Sequence, residues 1–330
     1  MGTDPSVTVV VPAFNEESDI AGCIHAVAAQ TIPRDRFELI LVDGGSTDDT
    51  VTVAEREASR HDLYLRVVTN PQRTAATALN LGLVESRGEV LVRVDARSRI
   101  GPTHLERCEQ VLRKDPTIGV VGGGQHPVAR PDATLIARGI ARSLGNRYTT
   151  GLARYRRGGA AGPVDTVWMG GFRRIDLERI GGWPTYPTQN QDYRLNQQIR
   201  SSGLAVWFDP ELTADYLPRG DLAALARQYR SFGEAKGSIW LRGERPSLRQ
   251  VLLLGAATGA TAVSVVAARR VGVVRVAAGW LAVGLVLDHL GHDEPASVGE
   301  RLASTAATFV ADGSWLGGVV LGAVRSRGRR

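Results

Sequence analysis

The stretch Val90-Leu91-Val92-Arg93-Val94-Asp95-Ala96-Arg97 is an apolar, β-branched run that ends on a carboxylate. A buried strand delivers such an acid to the carboxyl edge of a parallel sheet, where open α/β folds bind ligands. A carboxylate there suits a divalent cation that bridges phosphates. Taken alone, a strand-end aspartate is equally well explained as a turn or helix cap. Two further runs end in the same way. Val7 to Val11 stops at Pro12 and gives Ala13-Phe14-Asn15-Glu16, and Phe37 to Val42 ends at Asp43 before Gly44-Gly45-Ser46-Thr47-Asp48-Asp49-Thr50. Asn15, Glu16, Asp43, Ser46, Asp48 and Asp95 are thus expected along one sheet edge. A dinucleotide-binding first turn would read Gly-x-Gly-x-x-Gly. Here that turn has no glycine, so acids and amides rather than a glycine cradle point to hydrogen bonds with a base and ribose, the phosphates being held by a cation.

These loops need strands and helices in alternation, and the chain supplies them. Ile20, Cys23, Ile24 and Val27 repeat at helical spacing up to Gln30. A helix is expected from the Asp48 loop to about His61, a third strand over Leu63 to Val68, and a helix over Thr74 to Ser86. Parallel strands with helices on both faces give an α/β, doubly wound, mostly parallel sheet. Further on, Leu105 to Leu112 reads as a helix, Ile118 to Gly124 and Val164 to Met169 as strands, and Ala205 to Pro210 as another. Gly170-Gly171 predicts close backbone approach. Arg154, Arg156 and Arg157 lie in an Arg/Gly/Ala-rich segment between Gln125 and Gly162, either a helix followed by a mobile loop over the ligand edge or an exposed basic loop with no ligand. Asp192 precedes Leu195 and Ile199 and so falls in the first turn of a helix, where the dipole favours its anion.

The chain has 330 residues, with 43% hydrophobic and 22% charged, which predicts a globular body with an appendage or second domain. The net charge is +6, and Lys114 and Lys236 are its only lysines. Arginine suits bidentate phosphate contact or an anionic membrane surface. The basic residues form no aromatic-laced patch, so nucleic acid is not the expected partner. Cys23 and Cys108 fit a reducing compartment without disulfides. The N-terminus runs straight into a strand and reads as having neither a signal peptide nor a lipid anchor.

The motifs Val9-Val10-Val11-Pro12-Ala13-Phe14-Asn15-Glu16, Val42-Asp43-Gly44-Gly45-Ser46-Thr47-Asp48 and Arg93-Val94-Asp95-Ala96 resemble the family-two inverting glycosyltransferases. The resemblance continues through Asn70-Pro71, Ala78-Leu79-Asn80-Leu81-Gly82, Asp165 to Trp183, and Asn190-Gln191-Asp192-Tyr193-Arg194-Leu195-Asn196, covering roughly residues 7 to 240. It is strongest to the succinoglycan-type exopolysaccharide branch. It implies a GT-A fold and a nucleotide-diphosphate-sugar donor, with Pro12, Ala13, Asn15 and Glu16 lining a uridine pocket. It also implies Asp43 on the uracil or ribose, Asp95 on Mg²⁺ or Mn²⁺, and Asp192 as the base that deprotonates the acceptor. Gly170, Gly171 and Trp183 are implied against sugar and acceptor, Trp183 either as a sugar platform or as a core ring. Two positions depart from the family pattern. Arg97 stands where Asp-x-Asp has its second acid, and is expected on a phosphate oxygen or as a cause of weaker metal dependence. Gln191 stands beside the base, where it can orient an acceptor but not share a proton. Gln228-Tyr229-Arg230 replaces the Gln-x-x-Arg-Trp of processive relatives, which implies addition of one sugar, with Gln228 and Arg230 on the acceptor side.

Val251 to Ala268, Val271 to Leu287 and Leu302 to Val324 are long apolar runs near the length of a bilayer span. The expected division is a catalytic domain over 1–245 and membrane-associated helices over 246–330, at the cytoplasmic face. The cluster Asp288, His289, His292, Asp293, Glu294 reads as a polar loop between them rather than a metal set. The expected partners are a nucleotide sugar, a lipid-linked or glycan acceptor, and the membrane. The alternatives are a catalytically silent nucleotide-sugar-binding assembly subunit and a sugar nucleotidyltransferase, although the latter should carry a Gly-rich basic loop after the first strand.

Overall fold

The computed structural model describes residues 5–148, 153–186, 191–241 and 248–327. Asn190, in one of the motifs above, lies outside them. The chain forms two compact units, one of residues 1–126 with 152–217 and the other of residues 127–151 with 218–330.

The first unit is built on a mixed sheet. Among the described residues its strands are β1 (Val7–Ala13), β2 (Phe37–Asp43), β3 (Leu65–Thr69), β4 (Val90–Arg93), β5 (Ser98–Ile100), β6 (Ile118–Pro127), β7 (Gly162–Pro163), β8 (Gly171–Arg173) and β9 (Ala205–Tyr216). Their order is β3-β2-β1-β4-β8-β6-β9-β5, with β7 paired to β9. The first four strands are parallel. β8 enters antiparallel between β4 and β6. Strands β1, β2 and β4 are buried and mainly apolar because both of their faces are covered. Val9, Val11, Leu39, Leu41, Val90 and Val92 join one core, and Val10, Ile40, Val42 and Leu91 join the other. At the end of the sheet away from the loops, buried Glu38 locks the register. It accepts from Thr8 Oγ1 at 2.7 Å and from the Arg87 backbone N–H at 2.7 Å.

The expected strand over Val164 to Met169 is corrected. Strand pairing is confined to Gly162–Pro163 and Gly171–Arg173, and the segment between them is irregular. Its polar groups are met from outside a ladder: Val164 N–H donates to Val206 O, and Asn196 Nδ2 donates to Thr166 Oγ1 and Val167 O. The glycines after it do permit close approach. A Cβ at Gly170 would stand 2.5 Å from Val120 Cγ2, and one at Gly171 would stand 2.9 Å from Cys108 Sγ.

His104, at the start of helix His104–Lys114, is buried, which pushes its imidazole down to about 4. The unfolded chain therefore binds a proton that the folded chain refuses, between the ordinary histidine value of about 6.5 and 4. Stability from this group is complete above that ordinary value and is lost as pH falls through the window, by up to about 3 kcal/mol. The melting temperature of the full chain should fall between pH 7.5 and 5, and His104→Gln should flatten that slope.

The second unit is helical. Helices Leu135–Gly145, Leu222–Leu241, Leu248–Val271, Val273–Leu290 and Val298–Arg327 are described. Val273–Leu290 and Val298–Arg325 are long and apolar enough to cross a membrane. Asp288 and His289 end a helix rather than lie in a loop, and Asp288 is buried. Its carboxylate takes Arg142 Nε at 3.0 Å and the Ser304 hydroxyl at 2.6 Å. Helices Leu222–Leu241 and Val298–Arg327 meet backbone to backbone through Gly233, Gly237, Gly318 and Gly322, the close approach that small residues at four-residue spacing permit. A Cβ on Gly318 would meet Arg230 O at 2.2 Å, whereas one on Gly317 meets nothing within 4 Å. Gly318→Ala should lower the melting temperature by several degrees. Gly317→Ala should leave it unchanged or raise it, because alanine favours a helix by about 1 kcal/mol over glycine.

Candidate active site

Register brings the three strand ends together. Ala13 lies opposite Asp43, and Val10 lies opposite Arg93, two residues before Asp95. The first and second loops are stitched into one body. Asn15, at φ 54°, donates its backbone N–H to Ser46 Oγ at 2.9 Å and accepts from the Thr47 N–H at 2.9 Å. Glu16 N–H donates to Thr50 Oγ1 at 2.8 Å. Asp48 accepts from the Thr50 N–H and hydroxyl and from the Glu17 N–H. Burial raises the Asp48 carboxyl, but these hydrogen bonds outweigh it and hold the group below the usual carboxylate range. Asp43 accepts from Gly45 N–H at 2.9 Å, Ser46 N–H at 3.0 Å and the Ser46 hydroxyl at 2.6 Å. Asp43, Ser46 and Asp48 therefore shape the loop before they can touch any ligand. At the rim, Arg73 lies 5.7 Å over the Phe14 ring, a cation–π contact between two exposed side chains that the sequence reading did not single out.

Asp95 sits in a turn fixed on both sides by β4 and β5. Ser98 N–H donates to Asp95 O at 2.8 Å, and Leu217 N–H to Arg97 O at 2.9 Å. Its carboxylate is held by Arg93, with Nε to Oδ1 at 2.7 Å and Nη2 to Oδ2 at 3.2 Å. The remaining edge of the same guanidinium reaches Asp192, Nη1 to Oδ1 at 2.5 Å. Asp192 lies in the first turn of helix Gln191–Ser201. Burial pushes the Asp192 carboxyl up; Arg93 pulls it down and Asp95 pushes it up again, and the net shift is upward. Arg93, a residue that the sequence reading left inside the strand, thus joins the two carboxylates on which that reading placed most weight. A small cavity between Arg93, Met169, Phe172, Asp192 and Asn196 adjoins the bridge.

Arg97 does not point freely to a phosphate. Its Nε lies 2.6 Å from Glu16 Oε2 and 3.9 Å from Asp19 Oδ2. The residue in the second Asp-x-Asp position therefore closes the third loop onto the first. Trp183 is corrected from a possible sugar platform to a core ring. It is 1% exposed, packs edge-to-face on Phe172 at 5.1 Å, and its backbone is bracketed by Asn80, which accepts from the Trp183 backbone N–H and donates to its carbonyl. Gln191 is buried at the first position of its helix. Gln228 and Arg230 belong to the second unit, on helix Leu222–Leu241, with Arg230 paired to Glu234.

Among the described residues no group of three His, Cys, Asp or Glu side chains could hold a metal ion unaided. The charge count nevertheless leaves room for one. Asp95 and Asp192 share a single Arg93, and Glu16 answers Arg97. These side chains leave a net negative charge, and the Asp95 carboxylate is of the type that takes a divalent cation, so the residues fit a metal ion that Asp95 would hold.

A GT-A-like α/β sheet with this edge defines a glycosyltransferase. The chain belongs to glycosyl transferase family 2, whose model matches residues 8–181. It is 26% identical over 259 residues to the succinoglycan biosynthesis protein ExoA of Rhizobium meliloti, covering 77% of this chain and 76% of that one. It is 23% identical over 247 residues to a dolichyl N-acetyl-α-D-glucosaminyl phosphate 3-β-D-2,3-diacetamido-2,3-dideoxy-β-D-glucuronosyltransferase of Methanococcus voltae, covering 72% and 74%. Among solved structures it resembles the mannosyltransferase PcManGT of Pyrobaculum calidifontis in complex with GDP-Man and Mn²⁺. That match has a TM-score of 0.61 and 25% identity over 97% of this chain and 87% of that one.

Arg97→Asp, which writes Asp-x-Asp into this chain, should not improve it. The change sets a third carboxylate against Glu16 and Asp19 and should cost about 1–3 kcal/mol. A melting temperature that falls in Arg97→Asp, and recovers when Glu16→Gln is added, would bear this out.

Proposed function

We propose that this glycosyltransferase moves one sugar from a nucleotide diphosphate sugar, read as a UDP-sugar, to a lipid-linked or polysaccharide acceptor in cell-envelope or exopolysaccharide synthesis, with inversion at the anomeric carbon. The observation that carries the reading is the pair of carboxylates at one sheet edge, Asp95 after β4 and Asp192 at a helix start, held by one guanidinium. An inverting transfer is a single displacement and needs one base on the acceptor hydroxyl, opposite the leaving diphosphate.

In this reading Pro12, Ala13, Asn15 and Glu16 line the base and ribose pocket, with Asp43, Ser46 and Asp48 fixing its wall. Asp95 holds Mg²⁺ or Mn²⁺ together with the diphosphate. The cation, when bound, neutralises charge on the leaving group. Asp192 takes the acceptor proton; its raised carboxyl brings it closer to the range in which a base works at neutral pH. Gln191 orients the acceptor. The division into a catalytic region over 1–245 and membrane-associated helices over 246–330 belongs to the same proposal. Support comes from the exposed apolar side chains Val263, Val274, Val283 and Val286 on helices Leu248–Val271 and Val273–Leu290, and from relatives named for lipid-linked substrates. The basic C-terminal residues favour the cytoplasmic face.

The test is turnover of a panel of UDP- and GDP-sugars by the purified full chain in detergent, with membrane lipid extract as acceptor, in Mn²⁺ and in EDTA. One donor should be consumed, only with metal, giving a product of inverted anomeric configuration. At saturating Mn²⁺, Asp192→Asn should lower kcat by about 10²–10⁴-fold with donor binding retained. Nucleotide binding without turnover of any donor would favour the silent-subunit reading instead.

A further inference from the structure

Arg93 is placed as no ordinary strand residue is. Its side chain is 10% exposed, and its backbone N–H is fixed to Gly170 O at 3.2 Å. Asp95 takes the Nε/Nη2 edge of its guanidinium at both oxygens, and Asp192 takes Nη1. One cation is thus shared by two anions, Asp95 beside it in the chain and Asp192, which lies 99 residues beyond Arg93. A guanidinium can do this because its donors are rigid and point along separate edges, whereas an ammonium is a single point charge. The same bidentate grip occupies the carboxylate that would hold a metal cation. A cation and Arg93 therefore compete for Asp95, and the weight of that competition depends on how firmly Asp192 draws the guanidinium the other way.

Resting on the function proposed above, we infer that Arg93 is a positioning residue that couples the two halves of the site: it spaces Asp192 from Asp95 and sets cation uptake at Asp95 by competing for its carboxylate. The coupling has a sign at each position. Removing the guanidinium should free Asp95 and tighten cation binding. Removing the Asp192 charge should leave the guanidinium wholly to Asp95 and weaken it. Both effects act through one side chain, so the second should vanish when the first has been made.

The experiment is Mn²⁺ binding to the full chain, read from the electron paramagnetic resonance signal of free Mn²⁺ in the presence of UDP and, separately, of GDP. It compares wild type, Arg93→Gln, Arg93→Lys, Asp192→Asn and the double variant Arg93→Gln/Asp192→Asn. Expected are Mn²⁺ affinity about tenfold tighter in Arg93→Gln, several-fold weaker in Asp192→Asn, and no effect of Asp192→Asn in the Arg93→Gln background. Arg93→Lys should keep the competition and not the spacing, so that its Mn²⁺ affinity stays near wild type while its kcat falls with KM for the donor little changed. A purely structural Arg93 would give lower melting temperatures with Mn²⁺ affinity unchanged or weaker in every variant, and that result overturns the inference. Should Arg93→Gln fail to fold, Asp192→Asn carries the test alone, and unchanged Mn²⁺ affinity there is equally decisive against it. Absence of Mn²⁺ binding by wild type with either nucleotide would instead remove Asp95 as the metal residue, and the inference with it.

Discussion

The guanidinium of Arg93 is the contact on which the arrangement of this site depends. Two carboxylates of the same sign, brought close in a partly dry sheet edge, repel each other unless a cation lies between them. Arg93 supplies that cation from inside β4, so its position is fixed by the parallel ladder rather than by a loop. The β8 strand makes this possible from the other side. By running antiparallel against β4 it brings Gly170 over the Arg93 backbone, and the irregular chain before it packs on helix Gln191–Ser201, which carries Asp192.

Much of the first half of the molecule was legible in the sequence because its signals are local. A largely apolar run that ends at Pro12, Asp43 or Asp95 announces a covered strand and its ligand edge, and the alternation of such runs with helices points to the parallel pairing of the first four strands. The family motifs lie on those same loops. Arg93 was hidden by its position, since an arginine inside an apolar run reads as an outlier in a strand, and its partner Asp192 lies far along the chain. Trp183 was ambiguous for a related reason. A tryptophan after two glycines suits either a ligand platform or a core, and the choice was made by Asn80 and Phe172, which the sequence does not bring near it. The strand expected over Val164 to Met169 has the right composition, but its backbone partners are side chains of a helix and one carbonyl of β9.

Arg97 illustrates how a departure from a family pattern can take up a structural contact. In place of a second acid, the chain has a base that meets Glu16, so the third loop is tied to the first by an ion pair. The second unit uses a different device for the same end. Glycines at four-residue spacing let two helices meet at their backbones, a contact tolerant of water or lipid because it relies on close packing rather than on exclusion of solvent.

The stitching of the first two loops has a consequence for how such sequences can change. Asn15, Glu16 and Glu17 are held by Ser46, Thr47, Thr50 and Asp48 through hydrogen bonds that cross more than thirty positions of chain. The second loop has hydrogen bonds of its own through Asp43 and Asp48, whereas the first is held chiefly by its contacts with the second. Substitutions at these contacts in one loop should therefore be tolerated best with matched substitutions in the other, and an exchange of loops between relatives should carry both.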